Sequence, residues 1–244
     1  MIPLVHDLTG ETVLVVGGGA VATRKARRFA SEAAVIVVAP TFTERLRSAA
    51  GRPVENGTDA AETGPATGRI DLVRQRVDPD DVASWIDSAE PTLVVAATDD
   101  ATVNAAAEAA ARERDVLVNR TDVSGGRDPG SVVVPATVED GPVTIAITTG
   151  ASSPALSRYL RERIESEFDG VGELARLSGA VRTELIDQGV DPDTRREAVR
   201  AVVRSPAVQK GLQTGESNTR QLADGIVERV RDHEDDPGDT SEGQ

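Results

Sequence analysis

The glycines of Val16-Gly17-Gly18-Gly19-Ala20-Val21-Ala22 carry the most specific chemistry in the chain. They follow a short apolar run, Thr12 to Val16, that reads as a buried strand. They open a segment, Val21 to Ser31, that reads as a helix. Strand, Gly-x-Gly-x-x-Ala, helix is the context that a dinucleotide fingerprint requires. Gly17 permits the tight turn, Gly19 lets the backbone approach a pyrophosphate, and Ala22 lets the helix pack on a sheet. The helix N-terminus then offers amide donors and a partial positive charge. A glycine turn in an unrelated α/β fold would look the same at this one place.

The ribose-binding Asp or Glu usual at the end of the second strand is missing. Ala39-Pro40-Thr41 stands there, so backbone groups or Thr41 must hold the ribose. Spacing alone leaves NAD and NADP both open, since Arg45 and Arg47 could in principle meet a 2′-phosphate. Asp122 lies just past the end of the fifth parallel strand, at the sheet edge where ligands sit, and suits a general base. A turn-capping aspartate is the plain alternative. Asp100 reads as a helix N-cap, and Asp99 as part cap and part cofactor contact. His6 and His233 stand at opposite ends and there is no cysteine, so no metal cage is visible.

These residues need elements to place them. Val35 to Val38 is a second buried run, and Thr43 to Ala50 a short helix. Residues 51 to 69, rich in Gly, Pro, Thr and Glu, read as a mobile surface insertion. Ile70 to Gln75 is a strand, and Asp78-Pro79 starts a helix through Ser88. Leu93 to Ala97 is a strand, an alanine-rich helix follows to about Glu113, and Val116 to Val118 is the fifth strand. Alternation of this kind predicts an α/β, Rossmann-like parallel sheet. A small β extension, Ser131 to Val134 with Val143 to Thr148, is expected around a turn at Glu139-Asp140-Gly141-Pro142. From Pro154 the period is helical, with Leu156, Leu160 and Ile164 four apart, continuing in pieces to about Val230. The expected division is a nucleotide-binding domain at 1–134, a helical dimerisation domain at 135–231 and a disordered acidic tail at 232–244.

The net charge is −14 over 244 residues. Lys25 and Lys210 are the only lysines among 27 basic residues, and aromatics are 2%. Such a carboxylate-rich surface resembles proteins of halophilic archaea, where salt screens self-repulsion. An acidic protein from a GC-rich genome would share much of this. Nucleic acid is disfavoured as a partner, since phosphate binding needs basic patches. No apolar run approaches a membrane span, and Met1 to Asp7 lacks the features of a signal peptide, so a cytoplasmic protein is expected.

Five ordered blocks resemble one family. Val15 to Ala26 is similar to the "VGGG-x-VA-x-RKA" opening of precorrin-2 dehydrogenases. These are siroheme-synthesis enzymes, stand-alone or forming the N-terminal part of siroheme synthase. Ala39-Pro40-Thr41-Phe42 fits that family's acid-free second-strand exit, and Ala96 to Asn104 fits "AATDD-x-x-VN". Asn119-Arg120-Thr121-Asp122 fits "N-x-x-D", and Ile147 to Leu156 fits "I-S-T-x-G-x-SP-x-L". The resemblance covers roughly residues 1 to 170, and the absence of a methyltransferase region suggests the stand-alone form.

The resemblance implies oxidation of precorrin-2 to sirohydrochlorin with NAD, and in some members insertion of iron or cobalt. It places the acid–base residue at Asp122 and cofactor contacts at Gly17, Gly19, Ala20, Val21, Pro40, Thr41, Thr98 and Asp99. A polycarboxylate substrate on so acidic a protein needs local cations, for which Arg120, Arg127, Arg158 and Arg161 are candidates. Solvated helix faces would account for at least half of them. Thr149 and Ser152 are candidates to donate to substrate carboxylates, or equally to cap the helix at Pro154. The family also implies a homodimer, in which crossed subunits could share a site. The loop Val123 to Gly130 departs from the family pattern, which leaves the substrate-pocket lip open. Two rival functions remain: a non-catalytic NAD-sensing module, which would normally keep the second-strand acid, and a chelatase without dehydrogenase activity.

Overall fold

The computed structural model describes residues 3–50, 54–55, 68–123, 131–150 and 152–235. They fall in two compact units, Met1–Val134 with Gly150–Ser152, and Pro135–Thr149 with Ser153–Gln244.

The first unit is built on a parallel sheet. Its strands are β1 (Thr12–Val16), β2 (Ala34–Ala39), β3 (Val54–Glu55), β4 (Ile70–Arg74), β5 (Leu93–Ala96) and β6 (Leu117–Arg120). They lie in the order β3-β4-β2-β1-β5-β6. The helices between them are α1 (Ala20–Phe29), α2 (Glu44–Ala49), α3 (Val82–Ala89) and α4 (Ala101–Glu113), and a 3-10 turn at Pro79–Asp81 leads into α3. This is the Rossmann-like arrangement expected from the alternating pattern.

The strands are continuous apolar runs because both sheet faces are covered. One face packs Val13, Val15, Val35 and Val37 with Ala22, Ala26, Phe29, Phe42 and Leu46. The other packs Leu14, Val16, Ile36 and Val38 with Val82, Trp85, Ile86, Val103, Ala107 and Ala111. The small residues Ala107 and Ala111, both fully buried, let α4 lie close to the sheet. Asp100 caps that helix, accepting from the amides of Thr102 (2.8 Å) and Val103 (3.3 Å).

Among the described residues, the second unit is a hairpin and five helices. The hairpin pairs β7 (Ala136–Asp140) with β8 (Val143–Ile147), antiparallel, and Gly141 turns it at φ +54°. The helices are α5 (Pro154–Glu167), α6 (Val171–Asp187), α7 (Pro192–Arg204), α8 (Pro206–Thr214) and α9 (Thr219–Asp235). Ser153, Asp191 and Ser205 cap α5, α7 and α8, each followed by proline at the first helical position. Small clusters around Val181, Leu185 and Ala198, and around Val202, Val208 and Ala223, hold α6 to α9 together.

Three expectations are corrected. Ser131 to Val134 does not pair with β8; Ser131 bridges Val118 in parallel, and the Val132 amide donates to the Val118 carbonyl at 2.8 Å. The hairpin partner is instead Ala136–Asp140, which includes Glu139 and Asp140, expected in the turn. The insertion expected at 51–69 contains the two-residue strand β3, which extends the sheet beside β4; the rest of it, up to residue 67, lies outside the described residues. The acidic stretch expected to be disordered from Asp232 is helical to Asp235, and 236–244 lie outside the described residues.

Candidate functional site

A cleft of about 1090 Å³ opens in the first unit, at the carboxyl ends of β1, β2 and β5. Gly17, Gly19, Ala20, Val21, Pro40, Thr41, Thr98 and Asp99 all line it. The residues singled out as cofactor contacts thus converge on one cavity.

The three glycines are needed for different reasons. Gly17 has φ +124°, and a Cβ there would collide with the Ala97 carbonyl. Its amide donates to the Val38 carbonyl at 2.9 Å, which ties the turn to β2. A Cβ on Gly18 would collide with the Thr41 carbonyl oxygen and lie 2.9 Å from the Ala39 Cβ. Gly19 differs, because no atom lies within 4 Å of its would-be Cβ. That open space is what a pyrophosphate approaching the backbone requires. Gly19 supplies no side-chain cap to α1, and no acidic residue stands in the first turn. The helix therefore meets the cleft with its amide donors and its positive end. The residues present fit a dinucleotide.

A hydroxyl relay braces the turn. Thr23 Oγ1 donates to the Gly19 carbonyl at 2.8 Å and lies 2.7 Å from Thr43 Oγ1. Thr43 Oγ1 accepts from the Leu46 amide at 3.2 Å. With that lone pair used and the Thr23 proton on Gly19, Thr43 donates to Thr23. The Thr43 amide in turn donates to the Gly18 carbonyl at 3.1 Å.

On the far wall, buried Asn104 grips Thr98. Its Oδ1 accepts from the Thr98 amide (3.1 Å) and hydroxyl (2.8 Å), and its Nδ2 donates to the Thr98 carbonyl (3.0 Å). At the exit of β2 there is no carboxylate, as the sequence implied. Arg47 is turned back on its own chain, donating to the Phe42 carbonyl at 2.8 Å, and Arg45 is exposed. The cation that does line the cleft is Arg76, just past β4. Sequence reasoning passed over Arg76 and Thr43, and it placed Thr23 and Asn104 in family-like blocks without assigning them these contacts.

Asp122 follows β6. Arg120 holds its carboxylate by two parallel bonds, Nε to Oδ1 at 2.8 Å and Nη2 to Oδ2 at 3.0 Å. This fork, with a further hydrogen bond from the Asn104 side chain, holds Asp122 below the usual carboxylate range. Arg120 is raised in turn, first by Asp122 and also by Glu108. Its Nη1 lies 3.2 Å from Glu108 Oε2. The charge of Arg120, considered above for substrate, is thus shared between two carboxylates of the protein.

The remaining candidates are placed as follows. Thr149 Oγ1 lies 3.0 Å from Ser157 Oγ and 3.1 Å from the Ser153 carbonyl, so it is tied to the start of α5. The cap itself is Ser153, which accepts from the Leu156 amide at 3.2 Å, and Ser152 is exposed. Arg158 and Arg161 pair with Glu162 and Glu165 one turn on, both at 2.9 Å. Arg127 lies outside the described residues. Among the described residues no three His, Cys, Asp or Glu side chains group as a metal site, and no helix is long and apolar enough to cross a membrane.

Asp122 shares its lowered proton affinity with Asp87, Asp100 and Asp191, held by Arg114, by backbone amides and by Thr194 respectively. Because each is lowered on folding, each stabilises the fold above the ordinary aspartate value of about 3.9. That contribution is lost as pH falls through the lowered values. Circular dichroism against pH is expected to show these aspartates costing stability only below about pH 4. Substituting Asp100 with asparagine should make that acid limb shallower.

Comparison with known proteins agrees with this site. A family model described as "Putative NAD(P)-binding" matches residues 4–136, more than half of the chain. Siroheme synthase of Azotobacter vinelandii is 34% identical over 225 residues, which is 91% of this chain and 43% of that protein. The chain thus spans less than half the length of the siroheme synthases it matches. Precorrin-2 dehydrogenase of Methanosarcina barkeri is 29% identical over 230 residues, 93% of each chain. The solved structure of SirC, precorrin-2 dehydrogenase, has a TM-score of 0.64 at 23% identity, covering 95% of this chain and 100% of that one, and shares the fold. With the glycine turn and the open cleft both falling inside the matched span, the chain belongs to this NAD(P)-binding family.

Proposed function

We propose that the chain oxidises precorrin-2 to sirohydrochlorin with NAD as acceptor. The observation that carries the reading is the dinucleotide cleft with an ionised aspartate beside it, Asp122 sharing Asn104 with the cleft residue Thr98. Full-length similarity to a protein named precorrin-2 dehydrogenase supports the choice of substrate.

The chemistry divides simply. Dehydrogenation removes two electrons and a hydrogen as hydride and a second hydrogen as a proton. The dinucleotide, when bound, supplies the hydride acceptor. Gly17, Gly18 and Gly19 would hold its diphosphate, the amides of Ala20 and Val21 would donate to that charge, and Pro40 and Thr41 would hold the ribose. Thr98 and Asp99 border the opposite wall. Asp122 accepts the proton, and its ionised state leaves it ready to do so at neutral pH. Thr149, Ser152, Arg120 and Arg158 remain the substrate-facing candidates, although the pairing of Arg120 and Arg158 weakens their claim on a carboxylate ligand.

The test is spectroscopic. Protein, precorrin-2 and NAD are expected to give sirohydrochlorin and reduced dinucleotide in equal amounts. A cleft that binds NAD without any product would sink the dehydrogenase reading and favour a sensing module. A parallel arm with cobalt(II) or iron(II) and sirohydrochlorin reports chelation separately.

The working state we propose is a homodimer in a salt-rich cytoplasm. Helix α5 has no buried residue, and it leaves Leu156 46% and Tyr159 57% exposed. A two-stranded hairpin is also weak support alone. Light scattering should give twice the 244-residue mass. The net charge of −14 should make the melting temperature rise between about 0.1 M and 1 M salt, as the Debye length falls from about 10 to 3 Å.

A further inference from the structure

We propose that Arg120 and Glu108 are positioning residues for Asp122, fixing the plane of its carboxylate and setting how readily it takes a proton. The inference rests on the acid–base reading of Asp122 given above.

The geometry is a shared guanidinium. Two parallel bonds from Nε and Nη2 of Arg120 fix the orientation of the Asp122 carboxylate. The third nitrogen, Nη1, reaches Glu108 Oε2 across from α4 at 3.2 Å. Glu108 is itself held, with Oε1 accepting from Arg112 Nη2 at 2.7 Å and from Ser131 Oγ at 3.1 Å. The side chains of Arg120 and Glu108 are 17% and 15% exposed, against 27% for Asp122. The anchors are thus more enclosed than the group they hold. The charged side chain on Asp122 is Arg120 from β6, and behind it stand Glu108 and Arg112 from α4. Asp100 caps that same helix, and the carbonyl of the next residue, Ala101, lies 3.5 Å from Arg120 Nη2.

The two anchors act in opposite senses. When Asp122 takes a proton its charge is lost, and Arg120 is left with Glu108 alone. Arg120 therefore opposes protonation, because its fork favours the carboxylate. Glu108 assists it, both by drawing on the same guanidinium and by remaining as a partner afterwards. Removing Arg120 should make Asp122 easier to protonate, and removing the charge of Glu108 should make it harder. A merely structural pair would not produce two shifts of opposite sign.

The experiment compares wild type with Arg120→Gln, Arg120→Lys and Glu108→Gln. It reads the pH profile of kcat/KM for precorrin-2 and the carboxyl-carbon NMR titration of Asp122 without substrate. Arg120→Gln is expected to raise the Asp122 midpoint by about one pH unit or more, and Arg120→Lys to restore part of that shift. Glu108→Gln is expected to lower the midpoint and to reduce kcat several-fold, with the KM for NAD changed less than twofold. Midpoints that stay put, or move the same way in the glutamine variants, overturn the proposal. If Asp122→Asn keeps full turnover, the base reading fails instead, while the NMR titration still decides whether the clamp operates. Should Arg120→Gln fail to fold, Arg120→Lys and Glu108→Gln carry the test.

Discussion

Asp122→Asn is expected to bind NAD as the parent does and to lose turnover by about 10²- to 10⁴-fold, the usual worth of a positioned acid–base group. The substitution keeps the size and shape of the side chain. It removes the charge and the capacity to take a proton. Asp122 is outside the residues that line the dinucleotide cleft, so affinity for NAD should survive. The cost to the fold is limited, because Arg120 retains Glu108 at 3.2 Å as a partner. Asp100→Asn is the useful contrast. Asp100 accepts from two backbone amides at the start of α4, so its loss should lower stability at neutral pH, with the gap to the parent closing below about pH 4, while the proton acceptor at Asp122 stays in place. Equal turnover in Asp122→Asn and wild type would remove Asp122 from the chemistry.

The second large effect separates the glycines of the turn. Gly18→Ala places a methyl on the Thr41 carbonyl oxygen and against the Ala39 Cβ. Both neighbours are fixed by backbone, so relief requires the β2 exit to move. Overpacking of this kind costs about 1–3 kcal/mol or more, and it distorts the wall of the cleft itself. Gly17→Ala adds an unfavourable φ to a collision with Ala97. Both variants should lose dinucleotide binding and melt earlier. Gly19→Ala meets no protein atom within 4 Å, so it should melt like the parent and yet bind NAD at least tenfold more weakly. Calorimetric titration beside thermal unfolding decides the matter. Unchanged affinity in Gly19→Ala would mean that the diphosphate does not approach there.

The sheet was legible because strands buried on both faces leave unbroken apolar runs, as in Val35 to Val38. What was misread has physical causes. The β-branched run Ser131 to Val134 carries a strong strand signal, and it does run beside β6, but its pairing partner is not a local property. The true hairpin partner of β8, Ala136–Asp140, ends in two acids and has no such signal. The strand Val54–Glu55 is too short to show a period. Charged residues at the end of α9 look like a tail, although they continue a helix.

The site divides along the same line. The glycines and the acid-free β2 exit, which line the cleft, were legible from order and spacing within their own segments, whereas Asp122 was named through the family resemblance. Arg120 was read as a cation for the substrate, and the structure commits it to Asp122 and Glu108. Glu108 lies on a different element, twelve residues earlier, and no helical or strand period links the two. Asn104, too, closes the "AATDD-x-x-VN" block in sequence without showing what it holds. Its three bonds to Thr98 arise only when α4 is laid against the sheet.

Trp85 is the one tryptophan in 244 residues, and it is 8% exposed in the sheet face covered by α3 and α4. The protein therefore carries a single indole, which can be excited apart from Tyr159 at the red edge of its absorption and is placed by the fold rather than by labelling. Indole emits where reduced nicotinamide absorbs. Quenching of that one lamp should follow the appearance of reduced dinucleotide in the cleft, and a red shift of its colour should follow loss of the face around it. Turnover and unfolding can thus be watched in one cuvette, at two wavelengths, without a probe.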